Sequence, residues 1–182
     1  MENGENIMGK KFNRVYKVMV FFCTIIFFGF IKIFQYISRC IQKKYLSTIT
    51  LSQIDAMDGY DFEKYVKVLL STKGIKVETT RERQDYGADL IIRHHRLRVV
   101  MQCKLYYKHG VGVSAVQEIH TAIPYYKADY GVVLTNSHFT PSATALASNS
   151  GVILLGRAEL LKLSKTTTSR KDVLQIICQN LS

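Results

Sequence analysis

The sequence has few cysteines, and none of them is spaced as a metal site or a disulfide framework requires. The four cysteines stand at positions 23, 40, 103 and 178, with no CxxC pair and no histidines at zinc-site spacing. These absences argue against a zinc protein and against a disulfide-stabilised scaffold. Cys103 lies in an apolar run, where a reduced thiol behaves as a small hydrophobic side chain, so we expect the globular part to face a reducing compartment.

Acidic residues are also scarce, with 14 Asp and Glu against 25 Lys and Arg, for a formal net charge of +11. Residues 1–54 contain 8 basic and 2 acidic side chains, and residues 55–182 contain 17 basic and 12 acidic ones. A basic globular part favours a polyanionic partner such as nucleic acid, because Lys and Arg that neutralise phosphates release counterions. A surplus of this size also occurs on ordinary soluble domains.

Charge is absent altogether from Val18 to Ile31, the segment VMVFFCTIIFFGFI. With the IFQYI that follows Lys32 it gives an apolar run of about 20 residues, the length that an α-helix needs to cross a bilayer. A cleaved signal peptide would need a small-residue cleavage site, which KIFQYISRCIQ lacks, and an interfacial helix would need a polar face. The sequence therefore predicts a transmembrane helix over 18–38, with a buried helix of a soluble protein as the alternative.

The predicted organisation has five parts. They are a short basic tail over 1–17, the membrane helix over 18–38, a polar linker over 39–57, a globular domain over 58–164 and a C-terminal helical extension over 165–182. Basic residues flank the apolar run on both sides, so the positive-inside rule gives no orientation. We expect the globular domain to be cytoplasmic because of its free cysteines and its expected nucleic-acid substrate.

The globular part alternates helix and strand patterns in the order αβββαβαβ. The first helix is predicted from Gly59 to about Thr72, with Asp58 as its N-cap and Gly74 as its stop. The other predicted elements are strands over 75–80, 88–93 and 97–104, a helix over 113–126, a strand over 130–134, a helix over 140–148, a strand over 152–155 and short helices near 158–163 and 171–179. This order predicts an α/β domain with a mixed sheet flanked by helices.

Polar residues stand inside the second predicted hairpin, where burial alone would favour apolar ones. If the turn is centred between His95 and Arg96, Asp89 lies opposite Gln102, at about 5 Å between Cβ atoms. Gln102 and Lys104 share a face because side chains alternate along a strand. We expect these three side chains to converge on one point.

An aspartate, an amide oxygen and an ammonium at one point suit phosphodiester hydrolysis. Asp89 and the Gln102 carbonyl are the hard oxygen ligands that Mg²⁺ prefers. Lys104 can orient or help deprotonate an attacking water, or stabilise charge on the phosphate. Glu63, on the first helix, could add a second carboxylate through the metal or a bound water. The alternative for Asp89 and Lys104 is a cross-strand ion pair, and Glu63 could instead complement the helix dipole.

The chain also resembles a known family in a set of ordered segments. These are GYDFEKYV, DYGADLII, VVMQCKLYY, and VSAVQEIHTAIPYYKADYGVVLTNSHFTPSATALA followed by GVILL. They resemble the catalytic domain of Mrr-type restriction endonucleases, in the PD-(D/E)xK nuclease superfamily, over about residues 59–160. The resemblance implies a restriction-endonuclease-like αβββαβ core, Mg²⁺ and double-stranded DNA, with modified DNA as the substrate of the restriction branch.

The same resemblance assigns roles to single residues. Asp89 takes the place of the metal-binding aspartate, Gln102 that of the glutamate or glutamine, Lys104 that of the catalytic lysine, and Glu63 that of an accessory acid. Gln102 is neutral where many relatives of the superfamily have Glu, a feature that the Mrr-like branch shares. Asp85 matches the first Asp of the DxGxD pattern.

Three further residues are expected to contact substrate. Gln117 matches a recurrent polar position of the family on the helix after the lysine strand. Arg83 and Lys108 belong to a set of basic residues that brackets the site in sequence and could contact phosphates, although a solvated face is the default interpretation.

The residues and the resemblance together predict a metal-dependent DNA endonuclease, and the resemblance alone implies a restriction or defence role. Two alternatives stay open: a catalytically inactive, membrane-tethered DNA-binding module, and a nuclease that processes structured DNA or RNA. A membrane scaffold that binds only protein is a further possibility. Cutting both strands commonly needs two active sites, so a homodimer is a hypothesis that rests on mechanism.

Overall fold

A computed structural model describes residues 3–80, 86–165 and 167–178. Within it the chain forms two compact units, residues 1–41 and residues 42–182.

The first unit consists of most of helix α1 (Asn3–Thr48). Between Met19 and Ile41, large apolar side chains are exposed on all sides of this helix, and Phe21, Phe27 and Phe30 are each more than 60% exposed. A helix that is apolar on every side does not match the surface of a soluble domain. By length and composition alone, the stretch Met19–Thr48 can cross a membrane.

The predicted polar linker over 39–57 is largely helical in the structure. Helix α1 continues to Thr48, and a second helix, α2 (Leu51–Asp55), begins one turn later with Thr50 as its N-cap in a capping box. Residues 38–55 contain neither Gly nor Pro to interrupt the helices. Leu46 and Ile54 are buried in the core of the second unit, so this segment is held by apolar contacts.

The second unit is built on a five-stranded sheet in the order β1-β2-β3-β4-β5. The strands are β1 (Lys76–Thr79), β2 (Leu90–His94), β3 (Leu97–Lys104), β4 (Tyr130–Thr135) and β5 (Ile153–Leu155). The first three strands pair antiparallel, and β3, β4 and β5 pair parallel. The prediction of a mixed sheet is therefore confirmed, and β3 is the strand shared by its antiparallel and parallel halves.

Helices cover both faces of this sheet, as an α/β fold requires. One face packs against α3 (Gly59–Thr72), α6 (Arg157–Ser164) and α7 (Arg170–Cys178), and the other against α4 (Val113–Tyr125) and α5 (Pro141–Ser150). Strand β3 contributes to both cores by alternation: Met101 and Cys103 lie on the α3 face, and Val100 lies on the α4 face. The even-numbered residues Gln102 and Lys104 share the α4 face with Val100.

The β2–β3 hairpin has the register that the sequence predicts, with Leu90 opposite Met101 and His94 opposite Leu97. Strand β2 begins at Leu90, two residues later than expected. Ala88 packs in the α4-face core and Leu90 in the α3-face core, although residues two apart in a regular strand share a face. The backbone is therefore irregular at the residue between them, Asp89.

A partly buried polar network joins helices α2 and α6 to the end of strand β4. Asp55 accepts hydrogen bonds from Arg157 Nη1 and Nη2, both at 2.7 Å, and from Asn136 Nδ2 at 2.9 Å. Asn136 is only 2% exposed, and its Oδ1 accepts from the Tyr106 N–H at 2.8 Å. The hydrogen bonds from Arg157, followed by that from Asn136, hold the pKa of Asp55 below its usual 3.8 although burial opposes this.

We expect Asp55→Asn to lower the free energy of unfolding at pH 7 by about 1–3 kcal/mol, because hydrogen bonds to a charged group are lost. A carboxyl with a lowered pKa stabilises the fold above its unfolded pKa, and this stabilisation is lost as the pH falls through the folded pKa. The difference between the unaltered chain and the variant should therefore shrink below about pH 4 in urea unfolding. An equally large difference at pH 3 and pH 7 would contradict this origin.

Candidate active site

Three side chains of the α4 face form a tight polar cluster. Gln102 Nε2 donates to Glu118 Oε2 at 2.5 Å, and Lys104 Nζ lies 2.9 Å from the same oxygen. Gln102 is 3% exposed, while the side chains of Lys104 and Glu118 are 29% and 42% exposed. The cluster thus has a buried amide at its base and an ion pair that solvent can reach.

The charge of Glu118 is maintained by its two donors. Partial burial opposes ionisation of this carboxyl, but the hydrogen bonds from Lys104 and Gln102 outweigh it, so the pKa of Glu118 lies below its usual value. At neutral pH the cluster therefore contains a carboxylate and an ammonium next to a neutral amide.

Asp89 lies beside this cluster but makes different contacts. Its carboxylate Oδ2 accepts from the Cys103 N–H at 2.7 Å, and its own N–H donates to Met101 O at 2.9 Å. Asp89 also lines a cavity of about 390 Å³ together with Glu63 and with Tyr60, Lys64, Lys67, Thr79 and Thr80. Burial, then the negative charges of Asp89 and Glu63, raise the pKa of the Cys103 thiol well above its usual value.

The expected meeting of Asp89, Gln102 and Lys104 at one point is therefore seen only for Gln102 and Lys104, while Asp89 lines a cavity with Glu63. Glu118 brings Gln102 and Lys104 together on the α4 face, whereas Asp89 and Glu63 share a cavity next to α3. The Cys103 peptide, which stands between Gln102 and Lys104 in β3, connects Asp89 to the cluster.

A glycine allows the turn before β2 to lie directly on Glu118. Gly87 has φ +84, and a Cβ built on it would lie 2.6 Å from Glu118 Cβ and 3.1 Å from the Glu118 carbonyl carbon. The preceding Tyr86 ring stacks on Tyr125 of α4, with 3.9 Å between the ring centroids. Residues 86 and 87 therefore pack on α4, and Gly87 does so at the residue that holds Lys104.

One atom of this cluster, Gln102 Oε1, is suited to bind a hard divalent cation. Gln102 Oε1 is buried, and no residue in the described ranges donates a hydrogen bond to it. A buried carbonyl oxygen without a donor is under-satisfied, and a cation that prefers oxygen ligands would satisfy it. Among the described residues no three His, Cys, Asp or Glu side chains group as a preformed metal site, so any ligand set here has to include this amide.

The remaining predicted residues lie on the surface or outside the described ranges. Gln117 is exposed on α4 next to Glu118, and Lys108 is exposed in the loop after β3. Arg83 and Asp85 lie outside the residues that the structure describes.

Sequence reasoning missed Glu118, although α4 carries a signal for it. Glu118 is three residues after buried Ala115 and four before buried Ala122, which is the spacing of the core stripe. A carboxylate at such a position needs a polar partner on the strand below. The Asp55, Asn136 and Arg157 network was also missed, because its members are distant in sequence.

Comparison with known proteins identifies the family of the chain and shows solved structures with a similar fold. Residues 54–164, more than half of the chain, match the restriction endonuclease family Mrr_cat. No curated protein matches the sequence.

Three solved structures resemble this one. The DNA modification-dependent restriction endonuclease AspBHI has a TM-score of 0.51 at 18% identity, over 77% of this chain and 40% of its own. A protein of unknown function, AF1548, has a TM-score of 0.50 at 17% identity, over 65% of this chain and 66% of its own. The MspJI restriction endonuclease, in complex with a 27-mer oligonucleotide, has a TM-score of 0.44 at 14% identity, over 79% of this chain and 34% of its own. At these identities the likeness is one of fold, and the chain spans less than half of either endonuclease.

Gly87→Ala should destabilise the domain by at least about 2 kcal/mol, because the new Cβ meets Glu118 and the backbone conformation is strained for any other residue. Gly59→Ala is the matched control. Nothing lies within 4 Å of a Cβ at Gly59 in the first turn of α3, so its effect should stay within about 1 kcal/mol. Thermal or urea unfolding of both variants compares them, and equal effects would show that Gly87 does not support α4.

Proposed function

Because the chain belongs to the Mrr_cat family of restriction endonucleases, we propose that residues 42–182 hydrolyse phosphodiester bonds of double-stranded DNA. The reaction would use Lys104, Gln102 and Asp89, with Glu63 as an accessory acid. The observation that carries this proposal is that one Glu118 oxygen holds both the Lys104 ammonium and the Gln102 amide, whose buried Oε1 has no donor among the described residues.

Lys104 is suited to stabilise negative charge that develops during hydrolysis. Its Nζ is fixed by Glu118 at 2.9 Å and is still 29% exposed, so a phosphate oxygen or an attacking water can approach it from solvent. A donor that is fixed before the reaction requires little reorganisation when charge appears on the phosphate. Glu118 supplies this orientation in the structure.

Asp89 and Gln102 Oε1 are the oxygen ligands that would hold Mg²⁺, with Glu63 able to act through a bound water. Such an ion, when bound, neutralises phosphate charge and makes a coordinated water more acidic. The protein's own part is to hold the Asp89 carboxylate against the Cys103 N–H and to keep the Gln102 amide oriented through Glu118.

Double-stranded DNA is the proposed substrate because the chain is basic and because it belongs to a family of restriction endonucleases. The surplus of basic residues in the second half of the chain favours a phosphate backbone. Gln117 and Lys108 are exposed on the elements that follow the lysine strand, where they can contact such a backbone. We further propose a restriction or defence role, with modified DNA as one possible target, and a homodimer that cuts both strands.

Membrane attachment through residues 18–38 is the second part of the proposal. The exposed apolar side chains of α1 require a non-aqueous environment, and a lipid bilayer supplies one. The free Cys103 and the proposed DNA substrate support a cytoplasmic position for the second unit.

Lys104→Ala and Asp89→Ala should each reduce plasmid nicking by about a hundredfold or more, because each removes a group acting on the reacting phosphate. The full chain in detergent, supplied with Mg²⁺ and supercoiled plasmid, provides the assay. Lys104→Ala should retain DNA affinity in a fluorescence anisotropy titration, since one phosphate contact contributes little to a large interface.

Lys76→Ala is the control, because Lys76 is 72% exposed on edge strand β1 and pairs only with Glu78 among the described residues. It should nick plasmid as the unaltered chain does. Equal nicking by all variants would indicate a contaminating nuclease, and DNA binding without any nicking would favour the inactive DNA-binding module. Preferred cleavage of branched DNA or RNA over plasmid would favour the processing nuclease.

Phe27→Arg combined with Phe28→Arg should release the chain from membranes. Each Arg near the centre of a membrane helix raises the insertion free energy by about 2.5–3.5 kcal/mol. The unaltered chain should stay in the pellet after carbonate extraction, while the variant moves to the supernatant. An unaltered chain found in the supernatant, or one that lacks its first residues by mass spectrometry, would contradict a membrane anchor.

A further inference from the structure

Glu118 stands where three parts of the candidate site meet. Its Oε2 binds Gln102 and Lys104 of β3, and its Cβ and backbone lie under Gly87 of the turn that leads to Asp89. A glutamate that only made the surface of α4 polar would not need to contact both β3 and the turn before β2. Glu118 is also the acidic residue closest to the Gln102 amide in the described contacts.

Two acceptor oxygens of this cluster receive no hydrogen bond from the described residues. Both contacts of Glu118 go to Oε2, and no described residue donates to its Oε1. The adjoining Gln102 Oε1 is buried and also lacks a donor in the ranges that the structure describes. An under-satisfied buried acceptor is unfavourable by about 1–3 kcal/mol, which a cation bound to it would relieve.

The charges of the neighbouring residues also favour a role for Glu118 in binding a cation. Gln102 contributes no charge, and the Lys104 ammonium repels a cation. With Glu63 acting only through a bound water, Asp89 would be the one carboxylate in direct contact with a divalent ion, which would leave the ion poorly compensated in a half-buried position. A second carboxylate is therefore needed, and Glu118 supplies one in contact with the amide that is expected to bind the ion.

We propose that Glu118 is a metal ligand of the candidate site and provides the negative charge that a glutamate at position 102 would otherwise provide. This inference rests on the proposed nuclease function and adds a residue to it. The competing interpretation is that Glu118 only positions Lys104, in which case the affinity for metal does not depend on its carboxylate.

Direct measurement of Mn²⁺ binding to the full chain in detergent, by the loss of the free-ion electron paramagnetic resonance signal, separates the two interpretations without an activity assay. Glu118→Gln keeps the shape and one acceptor oxygen but removes the charge, and should weaken Mn²⁺ binding about tenfold or more. The double variant Gln102→Glu with Glu118→Gln moves the carboxylate to β3 and should restore the affinity to within about threefold of the unaltered chain, since ligand charge is conserved.

Glu78→Gln is the matched control, because it removes a carboxylate that pairs with Lys76 and Arg93 on the β1 side of the sheet. It should leave Mn²⁺ binding unchanged. If Glu118→Gln does not fold, as judged by circular dichroism, Glu118→Asp takes its place: it keeps the charge but withdraws the carboxylate by one methylene, and should still weaken Mn²⁺ binding if that carboxylate is a ligand.

Unchanged Mn²⁺ affinity in Glu118→Gln, or in Glu118→Asp where that variant replaces it, would overturn the role of Glu118 and leave the proposed nuclease intact. A chain that binds no Mn²⁺ before any substitution would overturn the metal-dependent nuclease itself. The two failures are therefore distinguishable.

Discussion

A polar side chain in the middle of a sheet that is covered on both faces must find its partner on the helix above it. Gln102 is in this position: its neighbours along β3, Met101 and Cys103, belong to the α3-face core, and Val100 belongs to the α4-face core. The amide is buried, so its N–H group has to be satisfied inside the protein. Glu118 satisfies it, and the position of α4 over β3 depends on that contact.

Several local features follow from this contact. Because the same Glu118 oxygen also binds Lys104, the lysine is held near the sheet instead of extending into solvent. Because the turn before β2 lies on Glu118, it needs a glycine at position 87 and a backbone that bends at Asp89. The Asp89 carboxylate then reaches the Cys103 N–H, which a regular strand partner would otherwise occupy. The fold and the candidate site therefore share their central interactions.

Local patterns in the sequence predicted the features that depend on neighbouring residues. The Asp58 cap, the bounds of β3 and the hairpin register were predicted correctly, because each is set by a few adjacent side chains. The helices within the predicted linker were not foreseen, since burial of Leu46 and Ile54 depends on distant parts of the core. Glu118 was missed for the same reason: its role appears only when α4 is placed across β3. The substrate role of Arg83 stays a prediction, as it lies outside the described residues.

The two cores also differ in when they can form during synthesis. The α4-face core draws its members from Ala88 to Val152, a continuous stretch of chain that includes Gln102, Lys104 and Glu118. The α3-face core needs Val173 and Ile177 of α7 as well, so it stays open until those residues have left the ribosome. The polar cluster can thus assemble on one side of the sheet while the other side still exposes its apolar residues. A nascent chain at that stage would need protection from aggregation rather than help in finding its active-site arrangement.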